Sequence, residues 1–360
     1  MIDDLFRKKT RSRRNCLIGA RNLVGAAVAS GLPLSHLGAQ TRAPARQTPN
    51  LALVSRHLQW TSAEHGIEVA KQAGFPGIVW SVRRGAHIVE ANVQSELSRV
   101  VRLTRNAGLE VPMIITGIST ARSEGAEAVL ASMAELGISL YRAFPPRYDY
   151  NRPFDDQMSD FRRDLEGLVR LNEKYGTTAA FHTHAGANTI GGSGWDLWIA
   201  ERGLDPDYVG LNYDIGHVMA KGGAGWRESI RAVGPYLHSV SIKDFRWEEI
   251  EGVDENEWSW RTRFVVPGQG MVNFVDFFRY LQGIGFTGPL ETYYEYMVDV
   301  PGQSEKMNML GTNYGSWELE IPESTFVGYL KRDVVFYNSV WQYALENPFA
   351  PDVSVVDRGR

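Results

Sequence analysis

One cysteine in 360 residues, Cys16, rules out an internal disulfide and any cysteine-built zinc module. A stable membrane span is missing too, because the most apolar stretch, residues 16–37, is rich in glycine and alanine and broken by Arg21 and Asn22. No Gly-x-Gly-x-x-Gly follows the first expected strand, which argues against a doubly wound dinucleotide fold. Nor is there a surplus of positive charge. The 38 basic residues face 42 acidic ones, a formal −4, which disfavours binding nucleic acid through its phosphates. What is present, at 43% hydrophobic and 22% charged, suits a globular chain with a large core.

The charge is unevenly spread. Arg7, Lys8, Lys9, Arg11, Arg13 and Arg14 crowd the start, before the weakly apolar stretch and the small residues Gly38 and Ala39. A basic region, a modest apolar run and a small-residue exit read as an export signal over residues 1–39, cut after Ala39. Ser12-Arg13-Arg14-Asn15-Cys16-Leu17 resembles a twin-arginine signal, and Cys16 is badly placed for lipid attachment. The expected product is periplasmic or secreted. Seven of the basic and two of the acidic residues lie in residues 1–39, so the remainder carries −9 and no cysteine. Residues 40–50 then form a leader, 51–346 the folded body and 347–360 a tail.

Short apolar runs alternate with longer amphipathic ones through the body. Strands are expected at 51–57, 77–82, 111–116, 138–143, 178–183, 208–214, 237–243 and 289–295. Helices are expected at 63–73, 92–107, 121–136, 159–175, 194–201, 226–233, 272–283 and 324–343. Several helices run into Gly74, Gly108, Gly137, Gly176 or Gly285, the usual C-terminal stop. Eight strand–helix repeats over roughly 295 residues fit an α/β fold of the (β/α)8 TIM-barrel type. Two irregular stretches, 251–267 and 298–322, are rich in Trp, Tyr, Asn and Gly and read as lids or substrate walls.

In such a barrel the strand C-termini share one pocket, so the chemistry should collect there. The fifth strand ends in His182 and His184, and the sixth in Asn212 and Asp214 with His217 just beyond. The seventh ends in Lys243-Asp244, and the eighth in Glu291, Tyr293 and Glu295. Imidazoles and carboxylates converging from four strands form a ligand set for one divalent ion, Mn, Mg, Co or Zn. Glu291 lies deeper and could simply complete a polar network, while Asp244 could pair locally. His87, past the second strand, and Arg142, on the fourth, are placed to reach substrate. Trp195, Trp198, Trp247, Trp258 and Trp260 sit in or beside βα loops, where aromatic faces suit sugar rings.

Asp214-Ile215-Gly216-His217, Ser241-Ile242-Lys243-Asp244, residues 267–274 (PGQGMVNF) and residues 285–290 (GFTGPL) together resemble the xylose isomerase-like sugar isomerase/epimerase superfamily. The resemblance runs from the first strand to the eighth. It implies a TIM barrel, a carbohydrate substrate and proton abstraction beside a carbonyl. It also implies one divalent metal held by Glu, Asp, His and Glu from strands five to eight. Carried over, these positions fall on His182, Asp214, Ser241 and Tyr293, of which only Asp214 matches.

Two repairs follow. Either metal sits one step higher on His184, Asp214, His217 and Glu295, or Lys243 supplies the positive charge instead. The expected machinery is then His184, Glu295 and Lys243 as catalytic groups, with His182, His217, Arg142, His87 and Trp247 against a small carbohydrate. Isomerisation, epimerisation and lyase or hydratase chemistry on a 3-keto-glycoside all remain open, as does a silent sugar-binding barrel. Self-association into a homo-oligomer is open as well.

Overall fold

The computed structural model describes residues 48–250, 260–311 and 315–349. The signal over residues 1–39, Cys16, most of the leader, Trp258 and most of the tail lie outside them. Eight parallel strands close into a barrel: β1 (Leu51–Val54), β2 (Ile78–Val82), β3 (Ile114–Thr116), β4 (Leu140–Ala143), β5 (Thr178–His182), β6 (Val209–Asp214), β7 (Leu237–Ile242) and β10 (Leu290–Thr292). Each pairs with its neighbour in sequence, and β1 closes on β10 with Leu51 opposite Leu290.

Helices α1 (Ala63–Ala73), α2 (Val93–Asn106), α3 (Ala126–Glu135), α4 (Phe154–Tyr175), α5 (Trp195–Glu201), α6 (Ile215–Gly222), α7 (Trp226–Val233), α8 (Phe274–Gly283) and α9 (Glu323–Glu346) cover the outside. The alternation reads as expected because each helix carries one apolar stripe. In α2, for example, Val93, Leu97, Val100, Val101 and Thr104 are buried at a spacing of three or four. Gly176 ends α4 at φ 63°, a left-handed conformation in which a side chain would be strained.

Some elements differ from expectation for local reasons. β3 starts at Ile114 rather than 111, since Pro112 has no amide hydrogen to give a ladder. Helix α4 begins at Phe154, five residues early, just after Pro153, with Asp155 and Asp156 favourably placed in its first turn. Residues 55–58 form a short 3-10 turn instead of extending the first strand. Two hairpins were not anticipated. β8 (Asp244–Glu249) pairs antiparallel with β9 (Trp260–Val265), and β11 (Met297–Asp299) with β12 (Lys306–Asn308); β9 and β12 lie inside the stretches expected to be irregular.

Strand alternation divides the barrel interior into two halves. From β1, β2 and β3 it receives Ala52, Val54, Val79, Met113 and Ile115, an apolar cluster separate from the outer core. From β4 onward the inward positions turn polar: Arg142, His182, Asn212, Asp214, Ser239, Ser241 and Glu291, all buried. A buried polar half is costly unless its members satisfy one another, so this half is where function is expected to lie.

Candidate active site

The floor of the polar half is one connected network. Glu291 Oε2 accepts from Arg142 Nη1 at 3.0 Å, Ser241 Oγ at 2.6 Å and Asn212 Nδ2 at 3.2 Å. Arg142 also donates to the Tyr293 hydroxyl, and Asn212 Nδ2 donates to Ser239 Oγ at 2.7 Å. With its amide nitrogen turned down to Glu291, Asn212 presents Oδ1 upward, where it accepts from His182 Nδ1 at 2.6 Å and lies 2.8 Å from Ser241 Oγ, whose single proton it shares with Glu291. That bond fixes the His182 tautomer and leaves the Nε2 lone pair facing the next layer.

Above the floor lie His182, Asp214 and His217. Asp214 ends β6 and caps α6: its Oδ1 accepts the His217 backbone N–H at 2.9 Å. Its Oδ2 is buried with no hydrogen-bond partner among the described residues. His182 Nε2 stands 3.9 Å from that oxygen and His217 Nε2 4.0 Å from it. One donor atom from each of the three lies within 4.8 Å of the others. Burial, then the nearby Arg142 or Lys243 cation, holds both imidazoles far below their usual pKa, so they are neutral. Burial also pushes the Asp214 carboxyl up to about 6, against the pull of Lys243.

Lys243 enters from the end of β7. Its Nζ is 2.8 Å from His217 Nε2, 2.8 Å from Glu295 Oε1 and 3.3 Å from Asp214 Oδ2. The route to this position depends on Gly216, where a Cβ would meet Lys243 Cγ at 2.8 Å. The pKa of Glu295 is lowered: burial opposes its charge, but the Lys243 ammonium outweighs that. His184 stacks near His217 with ring centroids 4.0 Å apart, and its Nδ1 accepts the Gly186 N–H at 2.9 Å, which leaves its proton on Nε2. Burial and Lys243 lower its pKa to about 4.

The wall is the β8–β9 hairpin, which grows straight out of β7. Phe264 on β9 lies 4.6 Å from Lys243 Nζ and 5.6 Å from the His217 ring, measured to ring centroids. Trp247 is opposite Thr262, two positions from the Phe245–Phe264 pair, and so shares the face that carries Phe264. Asp244 anchors the hairpin base. Its Oδ1 accepts the N–H of Phe245 and Val272, and its Oδ2 those of Gly268 and Gly270, all at 2.8–3.0 Å. A Cβ at Gly270 would collide with the Asp244 carboxylate, which accounts for that glycine in the 267–274 segment.

The structure therefore brings together His182, His184, Asp214, His217, Lys243 and Glu295, but with different neighbours from those expected. In the group of converging donor atoms, His182, expected against substrate, joins Asp214 and His217 in place of His184 and Glu295. The His184 ring is turned by Gly186, and Glu295 is engaged by Lys243. Arg142, at 4% exposure, spends its charge on Glu291 and the Tyr293 hydroxyl in the floor. His87 does not reach the pocket: its Nε2 bonds the carbonyls of Leu58 and Thr61, and its ring packs edge-on against Trp80.

His57, read as structural, ties the eighth strand to its neighbours. Its Nδ1 donates to the Met309 carbonyl at 3.0 Å, while Nε2 accepts the Tyr294 N–H at 3.3 Å, next to Glu295. Phe264 and Asn212 also shape the site without having been assigned roles. Asn212 was legible through its register with Asp214 on one strand face; Phe264 was hidden in an unrecognised hairpin.

The donor set fits one divalent ion. Two neutral imidazoles and a buried carboxylate oxygen without a hydrogen bond are the chemistry such an ion selects. His182, Asp214 and His217 are the residues that would hold it.

Comparison with known proteins agrees with the fold. Inosose dehydratase of Geobacillus kaustophilus is 26% identical over 166 residues, 44% of this chain and 53% of that protein. The chain thus spans about half the length of the curated relatives it matches. A crystal structure of the IOLI protein with a binding zinc atom superposes with a TM-score of 0.60 at 15% identity, covering 81% of this chain and 99% of that one. For the 3-keto-D-glucoside 4-epimerase YcjR of E. coli the values are 0.55, 14%, 80% and 99%. The sequence profile of the xylose isomerase-like TIM barrel family matches residues 67–310, and with the closed eight-stranded barrel this establishes that the chain belongs to that family.

Proposed function

We propose that this protein removes the proton next to a carbonyl in a sugar or keto-sugar. The observation that carries the reading is the pairing of Glu295 with Lys243 at 2.8 Å, amid the neutral imidazoles of His182, His184 and His217. An ionised carboxylate there accepts the proton, and the adjacent ammonium meets the negative charge that develops on the enediolate oxygen. His184, with its proton on Nε2, is the donor of the set. Trp247 and Phe264 offer apolar faces to the ring. A divalent ion on His182, Asp214 and His217 would polarise the carbonyl as a Lewis acid.

The fate of the enediolate sets the reaction. Return of the proton to the other face of the same carbon is epimerisation, and its delivery to the neighbouring carbon is isomerisation. Loss of a β-hydroxyl as water, taking the proton that Glu295 has just accepted while His184 Nε2–H hydrogen-bonds the departing oxygen, is dehydration. The last has a specific support: of the positions that carry glutamate in the resembling epimerases, this chain fills two with His182 and Tyr293, leaving Glu295 as the carboxylate at the mouth. The likeness to inosose dehydratase points the same way.

The test is to incubate the protein with cyclic and open-chain keto-sugars in D2O, with and without Mn2+, Mg2+, Co2+ or Zn2+, and follow deuterium uptake and water loss by NMR. Exchange in the wild type and a fall of about 10²-fold or more in Glu295→Gln is the expected result. Full turnover by Glu295→Gln sinks the assignment, and sugar binding without exchange identifies a silent binding barrel. Export belongs to the same proposal: the basic start and Arg13-Arg14 support it, and N-terminal sequencing of the mature protein should begin at Gln40.

A further inference from the structure

His217 Nε2 has one lone pair in a neutral ring, and an ammonium proton of Lys243 already points at it from 2.8 Å. The Asp214 oxygen that faces His182 and His217 is likewise 3.3 Å from the same ammonium. Two of the three donors that would hold a divalent ion are therefore addressed by a cation the chain supplies itself. Lys243 is 2% exposed and packed under the Phe264 ring, so water does not screen it from an incoming ion. A single lone pair cannot serve both, and two positive charges in so small a buried space repel strongly.

We infer that Lys243 and a divalent ion are alternative cations of one site. The ammonium occupies the His217–Asp214 side of it until an ion displaces the ammonium onto Glu295. Glu295 Oε1, also 2.8 Å from Nζ, is the acceptor that keeps the displaced charge paired. The inference rests on the reading that His182, Asp214 and His217 hold the ion. It makes Lys243 the residue that sets how tightly this member of the family binds metal, and it gives Glu295 a role in that affinity apart from its role as a base.

The test needs no substrate. The metal-stripped full chain is titrated with Mn2+, Co2+ or Zn2+ by calorimetry, with the visible absorption of Co2+ as a direct signature of coordination. Lys243→Met and Lys243→Gln are both used, each checked for folding by circular dichroism, so that failure of one leaves the other. Loss of the resident ammonium should tighten binding about 10–100-fold, the range in which groups around a metal's ligands act. Glu295→Gln should weaken it below the wild type, because the displaced ammonium loses its partner.

Equal affinity in the wild type and the Lys243 variants, or no binding by any of them, overturns the inference. Tighter binding by Lys243→Met that is unaffected by adding His182→Ala would instead refute the donor set. Absence of deuterium exchange on keto-sugars would refute the proton abstraction and leave the order of metal affinities untouched.

Discussion

Gly216 shows how much can hang on one missing methyl group. It stands in the first turn of α6, between the capping Asp214 and the site residue His217, and the Lys243 side chain and backbone carbonyl press against its Cα. A Cβ there would meet Lys243 Cγ at 2.8 Å and the Lys243 carbonyl oxygen at 2.9 Å, and the backbone oxygen cannot swing aside. We expect Gly216→Ala to cost about 1–3 kcal/mol in urea unfolding, the usual penalty of overpacking. Exchange of the α-proton should fall with it, because a displaced Lys243 stem no longer holds the ammonium beside Glu295. Unchanged stability would show that the stem of Lys243 is not confined as described. The Asp-x-Gly-His pattern was visible in the sequence, but the sequence offered no means of seeing that the glycine makes room for a lysine 27 positions on.

At the scale of elements, the β8–β9 hairpin is held at its base by a single carboxylate. Asp244 receives four backbone amides, from Phe245, Gly268, Gly270 and Val272, and burial raises its pKa against their combined pull. Bonds of this kind to a charged acceptor contribute about 1.5–3 kcal/mol each when lost singly, though a shared acceptor makes them non-additive. Asp244→Ala should therefore lose several kcal/mol or expose the hairpin to proteolysis at residues 244–272. Asp244→Asn, which keeps two lone pairs but also donates, should fall in between. Limited proteolysis with mass-spectrometric mapping decides the matter: cleavage no faster than in wild type would remove the clasp role.

The strands and outer helices were readable in advance because each carries a periodic apolar face over enough residues to average out exceptions. The hairpin was not, because its apolar positions are few and interleaved with Arg246, Glu248, Arg261 and Arg263, of which Glu248 pairs with Arg261 and Arg263 across the ribbon. The candidate-site residues were readable as a group, since strand ends in a barrel converge. Their pairings were not. Which imidazole meets Asp214 depends on side-chain tautomers set by Asn212 and Gly186, and strand parity says nothing about those.

At the scale of the whole molecule, acid should destabilise this barrel through its buried neutral histidines, of which His57 lies outside the polar cluster. The ring is fully buried, and burial lowers its pKa from the ordinary 6.5 to about 4. Between those values the unfolded chain takes up a proton that the folded chain refuses. The contribution is thus complete above pH 6.5 and is lost as pH falls toward 4, about 3 kcal/mol in all. Urea unfolding at pH 7 and at pH 4.5 should differ by more than that in wild type, since His182, His184 and His217 add to it, and by about 2–3 kcal/mol less in His57→Asn. The same pH dependence in both proteins would assign acid sensitivity elsewhere. Among the described residues no helix is long and apolar enough to cross a membrane.

The closure of β1 on β10 also sets a timetable. Leu51 pairs with Leu290, and His57 reaches Tyr294 and Met309, so the first strand waits for partners made some 240 residues later. Contacts this distant in sequence form late and slowly, because the intervening chain must be ordered before they reward it. While a ribosome is still building the barrel, β1 has one open edge, and neither Glu295 nor the full surroundings of Lys243 exist. A chain broken off between residue 217 and its eighth strand would carry the histidines and the aspartate without Glu295 beside them.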